Sequence, residues 1–431
     1  MDSPGARASS AANFPVHNWY HFVLGYTPEF PGLMLDRSGL GPDSLVVDPF
    51  MGAGTTLVEC KRRGIPSAGI EANDYFVDVV WAKTAWDVDP TDARQCRDEV
   101  LDRVYREFDR FTSRAANHQQ TLFSSGEYLW EEYADEHRPA MLTRKYISDI
   151  PFAKLRLIDR EARRVTADAG LRRLFELAVS SVVVPSSNVR YGPGFCVGRP
   201  RPDVDVLGIF KDKTDRMIRD LQGLGQTPDS ASTPARAIHG DSRSLARHFG
   251  TGSVDLMITS PPYPGDHEYT KHTRLELIFM GYATDVGEFR EIKQRMVRGS
   301  TTNVYKDDSE EEFVGHLGSI RRVTDLIDER LAADGATSGF EGLYTRLVRE
   351  YFGGMYRTLA DAREVLKPGG SVSLLVSDSH AFKMVHIRTA DILAEIGLEI
   401  GYSGAKIEPW QDKLGTSHRY RLKENILTLT R

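Results

Sequence analysis

Residues 44–56 read Ser44-Leu45-Val46-Val47-Asp48-Pro49-Phe50-Met51-Gly52-Ala53-Gly54-Thr55-Thr56. The first half is a short apolar run of the kind that forms a buried strand. Gly52-Ala53-Gly54 is a turn, and Thr55 to Arg63 reads as a helix. Ser67 to Ile70 predicts a second short strand that ends at Glu71. Strand, glycine turn, helix and strand form a βαβ unit, the start of a parallel sheet. Glycines in such a turn let the backbone pass close to a ligand and open a helix whose N-terminus favours negative charge. The turn is not a Gly-Lys-Ser/Thr phosphate loop, and Leu57 stands where a dinucleotide fingerprint has its third glycine. Glu71 follows Gly54 by 17 residues, and an acid at the end of the second strand hydrogen-bonds ribose hydroxyls in this geometry. Asp48, the turn and Glu71 together point to a nucleoside-type cofactor; the bland alternative is a tight turn needed only for packing.

Outward from this unit, residues 91–111 and 139–180 are helical in composition, and Ser180 to Pro185 is short and β-branched. A Gly/Pro-rich loop covers Ser186 to Pro202, Lys211 to Leu224 reads as a helix, and Gln226 to Arg236 looks like a linker. The α/β pattern then resumes. Ala237 to His239, Val254 to Thr259, Ser371 to Ser377 and Glu424 to Thr430 predict strands, and residues 310–333, 341–365 and 386–396 predict helices. The expected organisation is a tail over 1–13, a cofactor-binding half over 14–76, a largely helical insertion over 77–235 and a catalytic half over 236–431, itself interrupted at about 264–340.

A chain of 431 residues with 27% charged and 40% hydrophobic side chains is an ordinary globular one, which excludes a disordered or fibrous protein. No apolar run approaches a membrane span, and residues 1–13 lack the apolar core of a secretory signal, so a cytoplasmic location is expected. Cys60, Cys96 and Cys196 show no zinc or disulfide spacing. His267 and His272 sit five apart and match no common ligand spacing, so no metal is expected. The net charge of −6 argues against indiscriminate coating of nucleic acid. Yet Arg138 to Arg201 holds thirteen Lys or Arg against five acids, a local +8. A basic module on an acidic body suits a polyanion held locally, or is merely a solvated helix face.

After Val254 to Thr259 comes Ser260-Pro261-Pro262-Tyr263. Two prolines fix φ and remove two backbone donors, so the carbonyls at the strand end are rigid and free to accept. A hydroxyl at Ser260 and an aromatic face at Tyr263 flank them. Two acceptors and a stacking ring are what a planar exocyclic amine requires; the alternative is a Pro-rich turn with Tyr263 packed on the core.

The pairing of Asp-Pro-Phe-x-Gly-x-Gly-Thr, from Asp48 through Pro49, Phe50, Gly52 and Gly54 to Thr55, with Ser-Pro-Pro-Tyr resembles the amino-group DNA methyltransferases, and the Ser form resembles their cytosine-N4 branch. Tyr26-Thr27-Pro28-Glu29-Phe30-Pro31 resembles the family's contact to the methionine end of S-adenosylmethionine. Gly240-Asp241-Ser242 resembles its acid-bearing loop near the cofactor adenine, and Leu366-Lys367-Pro368-Gly369-Gly370 its late helix–turn–strand. The resemblance covers about 14–76, 237–263 and 355–431. It implies a class I methyltransferase Rossmann-like α/β fold: a mostly parallel seven-stranded sheet, helices on both faces and largely helical insertions. It also implies a cofactor site built from Pro28, Phe30, Asp48, Pro49, Phe50, Gly52, Gly54, Thr55, Glu71, Asp241 and Ser242. The large insertion precedes Asp241, whereas the resemblance places target recognition between Asp241 and Ser260.

The activity implied is direct transfer of a methyl group to the N4 amine of cytosine in double-stranded DNA. Ser260 and the Pro261 carbonyl would accept the amine's hydrogens, and Pro262 and Tyr263 complete the turn. A cytosine-C5 mechanism needs a placed thiolate, and no Pro-Cys dipeptide exists. Arg190, Arg199 and Arg201 are the candidate DNA contacts, and a cognate restriction or defence protein is a candidate partner. Asp266 to His272 borders the catalytic turn. The rival readings are adenine-N6 methylation, methylation of an RNA amine, and a non-catalytic DNA-binding subunit. Glu291-x-Lys293 is the only nuclease-like fragment.

Overall fold

Val46, Val47 and Asp48 form β1 (Val46–Asp48), and all three are buried, as a strand covered on both faces must be. The computed structural model describes residues 14–117, 125–166, 168–191, 194–224, 228–265, 268–335, 339–380, 382–414 and 421–431. The expected tail over 1–13, and Asp266 and His267, lie outside them. The other strands are β2 (Ser67–Glu71), β3 (Val189–Tyr191), β4 (Phe195–Val197), β5 (Ala235–His239), β6 (Val254–Thr259), β7 (Leu366–Ser377), β8 (Gly404–Leu414) and β9 (Arg421–Thr430).

Seven strands form one sheet in the order β5-β2-β1-β6-β7-β9-β8, and β3 pairs with β4 as a separate hairpin. The pairs from β5 through to β7 are parallel, whereas β9 runs antiparallel to both β7 and β8. The sheet is therefore mixed. Alternate residues serve opposite faces. Val46, Leu256, Ile258, Leu375 and Ile426 pack with Phe30 and Met34 of the helix Glu29–Ser38. Val47, Met257, Leu374 and Leu427 pack with the helices Tyr344–Val365 and Thr389–Ile400. The third large core lies among the helices inserted between β2 and β5, and residues 275–292 join it.

Several local expectations needed correction. Residues 139–180 are not one helical run but two helices, Asp149–Val165 and Ala169–Val183. Pro151 sits in the first turn of one, where its missing N–H costs nothing, and the Asp168 side chain caps the other by accepting from Leu171 N at 2.9 Å. The second helix runs into the short β-branched stretch over Ser180 to Pro185: Val179, Val182 and Val183 are buried among other helices, and that packing outweighs local propensity. The loop over 186–202 contains the hairpin β3–β4. The supposed linker holds the short helix Pro228–Ser232 and the start of β5. Its carbonyls at Ala231 and Thr233 accept from buried Lys61 at 2.8 and 2.7 Å, so it is fastened to the sheet's first crossover helix.

The glycine turn is anchored from behind. Lys83, on the helix Asp74–Thr84, is 2% exposed and donates to the Ala53 carbonyl at 2.8 Å. Burial pushes its ammonium down to about 7. Between that value and the ordinary lysine pKa the native state binds fewer protons than the unfolded chain, so stability rises with pH across this window. Urea denaturation at about pH 6.5, 7.5 and 8.5 should show wild type gaining stability relative to Lys83→Met as pH rises. Identical pH slopes for the two proteins would refute this.

Candidate functional site

The parallel strands deliver their C-terminal ends to one edge of the sheet, where α/β proteins bind ligands. The turn after β1, the end of β2, the loop after β5 and the turn after β6 all meet there. Between them lies a cavity of about 310 Å³, the size of a small-ligand site. Pro49, Phe50, Gly52, Thr55, Glu71 and Ser242 line it, and so do all four residues of the Ser260–Tyr263 turn. The structure thus brings two sequence motifs some 200 residues apart (Asp48 and Ser260) to one cavity.

Five other candidates are not among its lining residues. Asp48 is fully buried; its carboxylate accepts from the Tyr26 hydroxyl at 2.6 Å and from Phe50 N at 3.0 Å. Burial pushes its pKa up, and these donors pull it back. Phe30 lies in the core under the sheet, and Pro28 precedes the helix that carries it. Asp241 caps its own turn through Arg243 N and pairs with the Arg243 guanidinium at 2.6 Å. Gly54 has φ of +79°, and a Cβ there would meet Val80 at 2.6 Å.

Glu71 is the polar centre of the cavity at the ends of β1 and β2. Its Oε2 accepts from Gly52 N at 3.0 Å and its Oε1 from Asn73 N at 2.9 Å. Each oxygen keeps a lone pair beyond these bonds. Burial raises the carboxyl to about 7, against the pull of the two amides. Gly52 has φ of +44°, and a Cβ there would meet nothing within 4 Å, which leaves its face open.

At the other end, Ser260 Oγ lies 3.1 Å from the Leu375 carbonyl on β7. A carbonyl only accepts, so the Ser260 proton points at it and the Oγ lone pairs remain available. Tyr263 Oη lies 3.2 Å from Ser260 Oγ and donates to Glu424 Oε1 at 3.1 Å. Gln411 Nε2 donates to the other Glu424 oxygen at 2.6 Å. Glu424 also lines the cavity. Sequence reading missed it because its strand pairing carries the signal: Glu424 sits opposite Ser377 on β7 and Gln411 on β8. Tyr26, at the start of the Tyr26–Pro31 segment, lines the cavity and holds Asp48.

The basic insertion looks different in space. Seven of its thirteen cations make ion pairs: Arg138, Arg144, Lys154, Arg156, Arg160, Arg163 and Arg164 pair with Asp135, Asp149, Asp159, Glu161, Glu176 or Asp203. Arg201 donates to the carbonyls of Pro185 and Ser187 at 2.7 and 3.2 Å, so it holds the loop in place. Arg190 and Arg199 are exposed and make no ion pair among the described residues. No cluster that would hold a metal occurs among the described residues.

A seven-stranded α/β sheet with this cavity across its central strand ends is compatible with a methyltransferase fold. Residues 10–82 match the N6/N4 methyltransferase family described as DNA methylase. The chain is 21% identical to the Type II methyltransferase M.BsoBI of Geobacillus stearothermophilus, over 94% of its own length and 82% of that protein. It is 22% identical to the Type II methyltransferase M.AvaI of Nostoc sp., over 91% of its length and 80% of that protein. These likenesses support the amino-group methyltransferase family, whose members generally use S-adenosylmethionine.

The two glycines of the turn separate experimentally. Alanine at either position occupies a left-handed conformation at about 1–2 kcal/mol. Gly54→Ala also forces a side chain into Val80, so it should cost a further ~1–3 kcal/mol. Gly52→Ala should weaken S-adenosylmethionine binding with the smaller loss of stability. Denaturation and calorimetric titration of both variants check this; equal stability losses would contradict the packing role of Gly54.

Proposed function

We propose that the protein transfers a methyl group from S-adenosylmethionine to the N4 amine of cytosine in DNA, as a site-specific modification enzyme. The observation that carries this reading is the Ser260 hydroxyl. Its proton is committed to Leu375 and its lone pairs lie on the cavity that contains Glu71. The match of residues 10–82 to a family described as DNA methylase supports DNA as the substrate. The serine at the head of Ser-Pro-Pro-Tyr supports cytosine over adenine.

The cavity fits the cofactor. The free lone pairs of the Glu71 carboxylate suit the two ribose hydroxyls, and the open face of Gly52 lets a ligand approach the backbone. Ile70 and Phe76 supply apolar wall for a planar base, and the aromatic ring of Tyr26 is on the same lining. When bound, S-adenosylmethionine supplies an electrophilic methyl group on a sulfonium.

The chain's own residues then act on the acceptor. The cytosine amine is a poor nucleophile because its lone pair is delocalised into the ring. Ser260 Oγ and the Pro261 carbonyl accept its two hydrogens, draw the nitrogen toward tetrahedral geometry and hold it in line. Positive charge growing on that nitrogen is stabilised by the same oxygen dipoles, already oriented by the rigid Pro261-Pro262 backbone. Glu424 and Gln411 fix the Tyr263 hydroxyl, which sets the ring against which the base stacks. The base must leave the duplex to reach the turn, at a cost of a few kcal/mol.

Mass spectrometry of nucleosides from DNA incubated with protein and labelled S-adenosylmethionine tests the reading. N4-methylcytosine, reduced at least ~100-fold by Ser260→Ala, is expected. N6-methyladenine would keep the mechanism and overturn the base; label on RNA alone would overturn the substrate.

Cofactor affinity should also depend on pH. Only the ionised Glu71 carboxylate accepts both ribose hydroxyls. With its pKa raised to about 7, binding should tighten as pH rises through that value and level off above it. In Glu71→Gln the titration should be weaker and flat. A pH-independent wild type would remove Glu71 from the ribose contact.

A further inference from the structure

The segment after the Ser-Pro-Pro-Tyr turn builds a second cavity, of about 260 Å³. Lys271, Arg274, Arg290 and Lys293 line it, with Phe289 and Tyr305 as aromatic walls. Met141, from the insertion between β2 and β5, also lines it. Among the described residues Glu268 is the one acid on the lining, and Lys293 pairs with it at 3.1 Å. Lys271, Arg274 and Arg290 make no ion pair among the described residues. The Arg290 guanidinium sits 5.0 Å from the Tyr305 ring centre and that of Arg274 sits 5.6 Å from Phe289. Ring contacts of this kind orient a cation without neutralising it. Three uncompensated cations around a concavity, on a chain of net charge −6, form an anion site.

The cavity's place identifies the anion. Tyr269 lines the first cavity, and its neighbours Thr270 and Lys271 line the second. Arg290 and Lys293 line the second, and Arg295 to Val297 line the first. The two cavities therefore share two walls, the turn Tyr269–Thr273 and the segment that continues the helix Val286–Gln294. A strand that delivers a base to Ser260 carries its adjoining backbone past this mouth. We propose that the second cavity holds the phosphodiester next to the target nucleotide, which makes the segment 268–305 a DNA-gripping element beside the catalytic turn. The proposal rests on the DNA reading above. It places the grip on cations that no ion pair among the described residues neutralises, rather than on the ion-paired helices of the larger insertion.

Fluorescence anisotropy of the full chain on a mixed-sequence duplex, across a range of salt, tests it. Lys271→Gln, Arg290→Gln and the pair are the variants, and both side chains are exposed. Each cation that faces a phosphate contributes about one to the slope of log K against log salt. Each single variant should lose about one from the slope and the pair about two, with S-adenosylmethionine binding unchanged. A pair variant with the wild-type slope would overturn the assignment and leave the proposed function intact. Failure of wild type to bind duplex at any salt would overturn both. Inorganic phosphate titrated at constant ionic strength is the remaining arm: calorimetric binding that the pair variant abolishes, with an unchanged DNA slope, would make this a free-anion site and sink the proposal.

Discussion

A buried carboxylate without a cation organises this protein. Asp48 ends the central strand, is fully buried, and is held by the Tyr26 hydroxyl and the Phe50 amide. An unpaired carboxylate in such a place is costly unless donors surround it. Those donors come from the segment before β1 and from the turn after it, so satisfying one side chain fixes the path of both. The turn then aims Gly52 N at Glu71, and Glu71 in turn accepts from Asn73 N, where the next helix begins. One wall of the cavity is thus a chain of hydrogen bonds across β1 and β2, closed from behind by Lys83 on Ala53.

The opposite wall is built on a different principle. Ser260 is oriented by a carbonyl of β7, and Tyr263 by a carboxylate of β9 that Gln411 of β8 steadies. The antiparallel β9 is what makes this arrangement available. A strand that runs against the sheet begins at the edge where the parallel strands finish. Its early residues therefore face the Ser260–Tyr263 turn. The mixed character of the sheet, which departs from a wholly parallel pattern, places a carboxylate from near the C-terminus beside a motif from the middle of the chain.

Charge shows how counting along a chain differs from counting in space. The stretch 138–201 is strongly basic by composition, but its helices pair their cations with Asp149, Asp159 and Glu161 inside the stretch and with Asp135 and Asp203 just outside it. The segment 268–305 carries no comparable excess in sequence, yet folding turns toward one cavity three cations that make no ion pair among the described residues. Attraction for a polyanion depends on uncompensated charge, which is a property of the folded surface.

The residues that speak through local backbone chemistry were legible in the sequence. Gly52 and Gly54 marked the turn, the apolar runs marked β1, β2 and β6, and Pro261-Pro262 marked a rigid strand end, because each of these is set by the residue itself and its immediate neighbours. The family resemblance rested on the same motifs. What sequence did not disclose depends on partners far along the chain. The β-branched Val182 and Val183 became helical because other helices bury them. The edge strand β8 carries Lys406 and Glu408 and lacks a buried pattern that would announce it. Asp48, Phe30 and Gly54 belong to the same motifs yet are not among the residues that line the cavity, because a motif names the residues near a site without saying which of them face it. Sequence by itself determined the order of the elements and the chemistry of two turns. The tertiary structure decided which side chains meet in the cavity, which cations stay unpaired, and that Glu424 stands behind Tyr263, since each of these is a distance between residues the chain keeps far apart.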